Sequence, residues 1–288
     1  HRDLHSFPTR RSSDLMNAVK ALIKNLQIWY QNHQRSLPWR DVPSFYRVWI
    51  SEIMLQQTQV AAVISYFERF LARFPTLEVL SAASVDQVLE YWAGLGYYNR
   101  ARNLHQCGQI LARMTDLPAT REELESLPGI GAYTAGAILS IALNQVEPIL
   151  DANVKKVLSR MRRIKGGTQD KKRLWRLAKL LVQEGARTGM PPRDFNQALM
   201  EIGALVCLPR RPLCVSCPLA LLCKASKEGD PEIYPARQRK NWEKVEETVY
   251  FILGADDNYL LHKRGEKQWR AGLWDFPEHI PGRLLHAV

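Results

Sequence analysis

The chain has 288 residues, 46% of them hydrophobic, and a formal net charge of +11. That length is enough for about two domains and a sizeable core. No run of eighteen apolar residues occurs, which argues against a membrane-spanning helix, and the charge points to an anionic partner.

Residues 1–15, HRDLHSFPTRRSSDL, have neither an apolar core of signal-peptide length nor usable periodicity. They read as a non-native or disordered leader ahead of Met16, with a basic flexible arm as the alternative. Val19, Leu22, Ile23, Leu26 and Trp29 predict a first helix over Asn17–Asn32. LPWRDVP (Leu37–Pro43) is a loop stiffened by two prolines, and Ser44 opens a long helical run to about Phe74, broken near Gln56–Thr58. Further helices are predicted at Leu77–Leu80, Ser84–Trp92, Asn99–Met114, Arg121–Ser126, Ala132–Leu143, Asn153–Arg163, Lys171–Glu184 and Asp194–Leu205. No convincing strand precedes residue 245, so the first 225 residues or so read as all-α. A polar linker with Gly229, Pro231 and Pro235 covers about 226–244. Beyond it, Glu247–Leu253 and Tyr259–Leu261 read as strands joined by the turn Asp256-Asp257-Asn258. Residues 245–288 are too few for an independent core and read as the start of a second domain, cut short.

One stretch, Thr120 to Asn153, concentrates the chemistry. Thr120 and Glu123 form a capping box, Pro128-Gly129 ends that helix, and Gly131 lets the chain turn without a Cβ clash. Ala132, Ala135, Gly136 and Ala137 then open a second helix, small enough for two backbones to approach closely. Such a helix–hairpin–helix presents backbone N–H groups around Gly129 and Gly131 to an anion. Asp151 stands where the next helix begins, with Val154, Val157, Leu158 and Met161 as its apolar face. Taken singly, LPGIG is an ordinary interhelical turn and Asp151 a helix cap. In this order, a phosphate-holding hairpin followed by a carboxylate points to chemistry on a nucleic-acid sugar.

Residues 155–179 carry eleven Lys and Arg against Asp170 alone, nearly the whole charge excess. This is either a solvated helix face or a phosphate-contacting surface. Cys207-x6-Cys214-x2-Cys217-x5-Cys223 gathers four of the five cysteines into seventeen residues. In a basic chain without a signal peptide, that is a metal or cluster site in a reducing compartment such as the cytoplasm, nucleoid-associated in a bacterium, not a disulfide framework. Zinc and a 4Fe-4S cluster each accept four thiolates, although the two separate C-x2-C pairs of a zinc ribbon are absent. Cys107 reads as a buried thiol.

Glu52 lies in VWISEIMLQQTQ, and its helical neighbours Val48, Trp49, Leu55 and Gln56 are mostly apolar. Such surroundings raise a carboxyl pKa, as a general acid near neutrality requires; the alternative is a carboxylate turned to solvent. SEIMLQQTQV, GLGYYNRARNL, LPGIGAYTAGAI, ILDANVKKVL and the cysteine cluster together resemble adenine DNA glycosylases of the MutY type. These belong to the helix–hairpin–helix–Gly/Pro–Asp superfamily related to endonuclease III. The similarity runs from Asn17 to about Cys223 and continues into GLWDFP (Gly272–Pro277).

The resemblance implies removal of adenine mispaired with 8-oxoguanine or guanine in double-stranded DNA, by a monomer. Glu52 would be the acid that protonates the adenine, Asp151 the stabiliser of the oxocarbenium ion, and Asn153 and Tyr133 would hold the aspartate and the sugar. A lysine stands at the Tyr133 position in the endonuclease III group; a phenol forms no Schiff base, so little or no strand cleavage is expected. The target base must leave the duplex; Tyr97 matches the aromatic that wedges into the stack, and Leu95 and Gln57 match residues near the opposite base. Arg35, Trp39 and Gln197 align with the adenine pocket. The cysteines Cys207, Cys214, Cys217 and Cys223 would hold a 4Fe-4S cluster, mainly structural, with Arg210 and Arg211 offered to phosphate.

The implied fold is all-α and two-lobed. A helical-bundle lobe at about 37–145 carries the hairpin, a cluster lobe combines 16–36 with 146–225, and the active site lies between them. Residues 245–288 resemble the start of a truncated α/β MutT-like (Nudix) domain, without a Nudix catalytic helix. A bifunctional pyrimidine glycosylase/lyase and a non-enzymatic Fe–S DNA-binding protein stand as alternatives.

Overall fold

The computed structural model describes residues 10–166, 168–236, 261–265 and 272–275. The chain divides into two compact units, His1–Gln238 and Arg239–Val288. In the first, the helices are α1 (Arg10–His33), α2 (Phe45–Leu55), α3 (Val60–Arg73), α4 (Leu77–Ala82), α5 (Val85–Trp92) and α6 (Asn99–Leu111). They continue as α7 (Arg121–Glu125), α8 (Ala132–Ala137), α9 (Ala152–Arg162), α10 (Thr168–Arg187), α11 (Pro192–Leu205) and α12 (Lys224–Lys227). No strand occurs among the described residues of this unit.

Local chemistry accounts for most of these boundaries. Ser44 caps α2 by accepting from the Arg47 N–H, and Ser84 and Thr120 each complete a capping box. The first helix begins at Arg10, ahead of Met16 where the periodicity starts; nothing between them is Gly or Pro, so extending an existing helix is inexpensive. Instead of one helix over Ala132–Leu143, α8 widens into a π-turn at Ile138–Ala142. Arg193 binds its last carbonyls, with Nε donating to Ile141 O at 2.5 Å and Nη2 to Ala142 O at 3.2 Å.

The helices pack as two groups. Within the first, α2 packs on α3, α6 and α8, while α4 and α5 pack on α6. Trp49, Trp92, Phe67, Phe70 and Phe74 fill its core. In the second group α11 packs on α1, α9 and α10. The π-turn touches both α2 and α11 and so joins the groups. Residues 224–236 are not free linker: α12 packs on α9, Ala225 and Tyr234 are buried, and Arg160 Nε donates to Tyr234 O at 3.0 Å.

The close backbone approach expected at the small residues of α8 is present. A Cβ on Gly136 would lie 2.4 Å from Pro148 O, in the segment that leads to Asp151. In the second unit, β1 (His262–Lys263) pairs antiparallel with β2 (Trp274–Asp275). The ladder starts one residue after the expected strand end at Leu261, and it uses GLWDFP as the partner. Glu247–Leu253 and the Asp256–Asn258 turn lie outside the described residues.

Gly136→Ala is expected to cost about 1–3 kcal/mol, because the new methyl meets backbone, not a movable side chain. A urea titration with an unchanged midpoint would show that Pro148 yields freely.

Candidate active site

A cleft of about 1060 Å³ is lined from both helix groups. Glu52, Gln57 and Tyr133 come from one side and Asp151, Asn153, Lys155, Lys171, Gln197 and Glu201 from the other, with Arg35 and Trp39 on the loop after α1.

Glu52 sits on α2, only 4% exposed. The Tyr133 hydroxyl donates to its Oε2 at 2.6 Å. Burial is the largest influence and pushes the Glu52 carboxyl up to about 7; the Tyr133 hydrogen bond opposes this, and the nearby Asp151 charge adds to it. Tyr133 is raised well above 10 by burial and by the Glu52 and Asp151 charges, so it stays a neutral donor. Its hydroxyl also lies 3.6 Å from Met200 Sδ, near the floor of the cleft.

Asp151 is both a helix cap and a cleft residue, so the two readings of its position coexist. Its Oδ1 accepts from the Val154 N–H at 2.6 Å, and Oδ2 accepts from Asn153 Nδ2 at 3.2 Å. Burial raises its pKa, against these hydrogen bonds and the Lys156 charge. The N-terminal end of α9 favours the anion. Lys156 in turn donates to Asn153 Oδ1 at 3.4 Å and Gly203 O at 2.8 Å.

On the same side as Asp151, Glu201 is fully buried. Arg35 grips both its oxygens, Nη2 to Oε2 at 2.5 Å and Nε to Oε1 at 3.0 Å, and Arg40 Nη1 adds a contact at 2.9 Å. Burial alone would raise the Glu201 carboxyl, but the two guanidiniums together hold it below the usual range. Glu201 and Arg40 carried no signal in the sequence, since the partners lie more than 160 residues apart. Trp39 and Gln197, both buried, also line the cleft.

Two loops stand at the rim. Gln57 and Tyr97 both have positive φ, 59° and 51°, and Tyr97 is 57% exposed. Leu95, matched to a residue near the opposite base, is 7% exposed and belongs to the core cluster. Buried Arg100 joins the loops: Nη1 donates to the Ile53, Met54 and Gln56 carbonyls, and Nη2 to Thr58 Oγ1 at 3.1 Å and Gly96 O at 3.2 Å. In the hairpin, Gly129 takes the left-handed conformation (φ 78°), with a Cβ position only 2.9 Å from Asn103 Cβ. Gly131, assigned that need from its position, has φ −103° and open space where a Cβ would stand.

This helical architecture, with a hairpin and its aspartate at one cleft, matches the description "HhH-GPD superfamily base excision DNA repair protein" over residues 50–183. An adenine DNA glycosylase from Buchnera aphidicola (subsp. Schizaphis graminum) is 39% identical over 86% of this chain and 72% of its own length. This chain belongs to the HhH-GPD superfamily of base excision DNA repair proteins. The mouse adenine DNA glycosylase is 46% identical over 72% of this chain, which spans only 42% of that relative. Among solved structures, a thermostable thymine-DNA glycosylase matches 75% of this chain and all of its own, with TM-score 0.64 and 27% identity. An endonuclease III–DNA complex, at 20% identity and TM-score 0.58, shares the fold.

In this HhH-GPD protein the cysteine loop is held by Arg160, one of the eleven cations assigned to a surface and in fact buried. Its Nη1 reaches Cys207 Sγ at 3.2 Å and Leu208 O at 2.7 Å, and Nη2 reaches Pro209 O at 3.1 Å. None of the four clustered cysteines forms a disulfide. Burial, then the neighbouring Cys207, Cys223 and Cys214, pushes Cys217 up to about 12. Among the described residues no group of three or more Cys, His, Asp or Glu is placed to hold a metal ion. Cys107 is a buried thiol, as read.

The folded state binds the Glu52 proton more tightly than the unfolded chain, so stability falls as pH rises from about 4.5 to about 7 and the loss is complete above that. Glutamine has no charge to bury. Glu52→Gln should therefore match the parent in urea near pH 4.5 and exceed it by about 1–3 kcal/mol at pH 8. Equal stability at both pH values would contradict a buried carboxyl.

Proposed function

We propose that this protein is a monofunctional base-excision DNA glycosylase that hydrolyses the N-glycosidic bond of adenine mispaired with 8-oxoguanine or guanine. The observation that carries this reading is the pairing, across one cleft, of a carboxyl that keeps its proton near neutrality with a second carboxylate at a helix N-terminus. Adenine is a poor leaving group as an anion. Glu52 supplies a proton to a ring nitrogen, and Asp151 stabilises the positive charge that develops on the deoxyribose. Tyr133 holds Oε2 of Glu52, which leaves Oε1 for the proton. Asn153 fixes the second oxygen of Asp151.

The duplex reaches this cleft with the adenine extruded. Tyr97 is the wedge, and Gln57 lies beside the opposite base. The hairpin amides around Gly129 and Gly131 take a phosphate, with room for it where Gly131 lacks a side chain. Arg35, Trp39 and Gln197 form the wall against which the base sits. The domain arrangement proposed is a glycosylase domain over 16–225 and the start of a MutT-like module at 245–288 that reads 8-oxoguanine. The working protein is a monomer on duplex DNA.

Cys207, Cys214, Cys217 and Cys223 would hold a 4Fe-4S cluster. Their spacing and the Arg160 contact to Cys207 fit a thiolate cluster. When bound, it supplies a rigid scaffold for the loop that presents Arg210 and Arg211 to phosphate.

Single-turnover assays on A:8-oxoguanine, A:G and thymine-glycol duplexes test the reading. Adenine should be released from the first two, nothing from the third, and borohydride should trap no covalent adduct. Glu52→Gln should slow release by about 10²–10⁴-fold while duplex binding is kept. A borohydride adduct would favour a lyase, and binding without release by the parent would favour a non-enzymatic role.

A further inference from the structure

Behind the catalytic cleft, a second cavity of about 730 Å³ opens between the start of α7, the hairpin and α10. Arg121 lies in its wall, its guanidinium 5.6 Å from the Trp175 ring. All five N–H donors of this side chain are engaged. Nε and Nη2 reach Glu147 Oε2 at 3.1 and 2.5 Å, and Nη2 also reaches Pro148 O at 3.3 Å. Nη1 reaches Ala132 O at 2.8 Å and Glu125 Oε1 at 3.2 Å.

The acceptors matter for where they lead. Ala132 is the first residue of α8, immediately before Tyr133. Glu147 and Pro148 belong to the extended segment that ends at Asp151. We propose that Arg121 is a positioning residue: its guanidinium clamps the start of α8 to the Glu147–Leu150 segment, and so sets the separation of the Glu52–Tyr133 pair from Asp151 across the cleft. This inference rests on the glycosylase reading above.

Two further contacts make the clamp directional. Asn196 Nδ2 of α11 donates to Glu147 O at 2.8 Å, holding the segment from its other side. Gly136 admits Pro148 O into near contact with α8, and a Cβ there would stand 3.2 Å from Arg121 Nη2. The segment thus has one place to lie, and only a planar fork reaches a carboxylate and two carbonyls at once; an ammonium does not span them. A displacement of about 1 Å between catalytic groups costs about 100-fold in rate. A part-exposed ion pair contributes little to stability, so the consequence of losing Arg121 falls on geometry.

Arg121→Ala and Arg121→Lys test this against the parent. Single-turnover adenine release should fall about 100-fold in Arg121→Ala, with duplex binding retained, and less in Arg121→Lys. Because the cavity is open, guanidinium chloride at tens of millimolar should restore release by Arg121→Ala at least tenfold, whereas sodium chloride of equal ionic strength should not. The pH above which release fails should also move down in the variant, since the Asp151 charge would act on Glu52 from further away. Hydrogen exchange of residues 130–134 and 146–151 should quicken in Arg121→Ala and slow again with guanidinium, a readout that needs no substrate. An Arg121→Ala rate equal to the parent's, or a loss that guanidinium leaves untouched while exchange is normal, would overturn the inference. A parent that releases no adenine would instead overturn the glycosylase reading, and exchange alone would then decide whether Arg121 clamps the segment.

Discussion

The burial of the Glu52 carboxyl, 4% exposed and accepting from the Tyr133 hydroxyl at 2.6 Å, is the constraint on which the chemistry of this molecule depends. In water a glutamate sheds its proton far below neutrality. Here burial removes the hydration that favours the anion, and Asp151 adds a like charge nearby. The phenol can offer only one hydrogen bond, too little to reverse those effects. The result is a carboxyl with a transferable proton at physiological pH, beside a second carboxyl, Asp151, whose pKa burial raises while its hydrogen bonds and a helix N-terminus favour the anion.

The fold supplies these two environments from different directions. Glu52 points inward from a helix whose neighbours are core side chains, whereas Asp151 ends an extended segment pressed against α8 at Gly136. Its carboxylate serves two purposes at once. One oxygen closes the first turn of α9 and the other is held by Asn153, while the residue lines the cleft. A side chain already required to start a helix is fixed in direction by that duty, so its catalytic placement needs little additional structure. Similar economy appears at Glu201, where one buried carboxylate holds both Arg35 and Arg40.

Much of this was legible in the residue pattern, and the remainder was hidden for identifiable reasons. Apolar neighbours one helical turn away pointed to the burial of Glu52, and capping chemistry marked the starts of α7 and α9, because both signals act within a few residues. The Arg35–Glu201 pair joins chain segments 166 residues apart, and no local rule relates them. Arg100 and Arg160 were obscure for another reason. A cation in a basic motif looks solvent-exposed until the fold shows carbonyls, and for Arg160 a thiol, gathered around it. Gly131 was given the turn that Gly129 makes, since two glycines two residues apart are indistinguishable without dihedral angles.

The account stands on where Glu52 holds its proton. Carboxyl-labelled glutamate and a 13C NMR titration, with Glu52→Gln to assign the resonance, measures this directly. A single carboxyl that titrates near pH 7 and disappears in the variant is the expected result. A Glu52 resonance that titrates between pH 4 and 5 with the exposed glutamates would contradict the account.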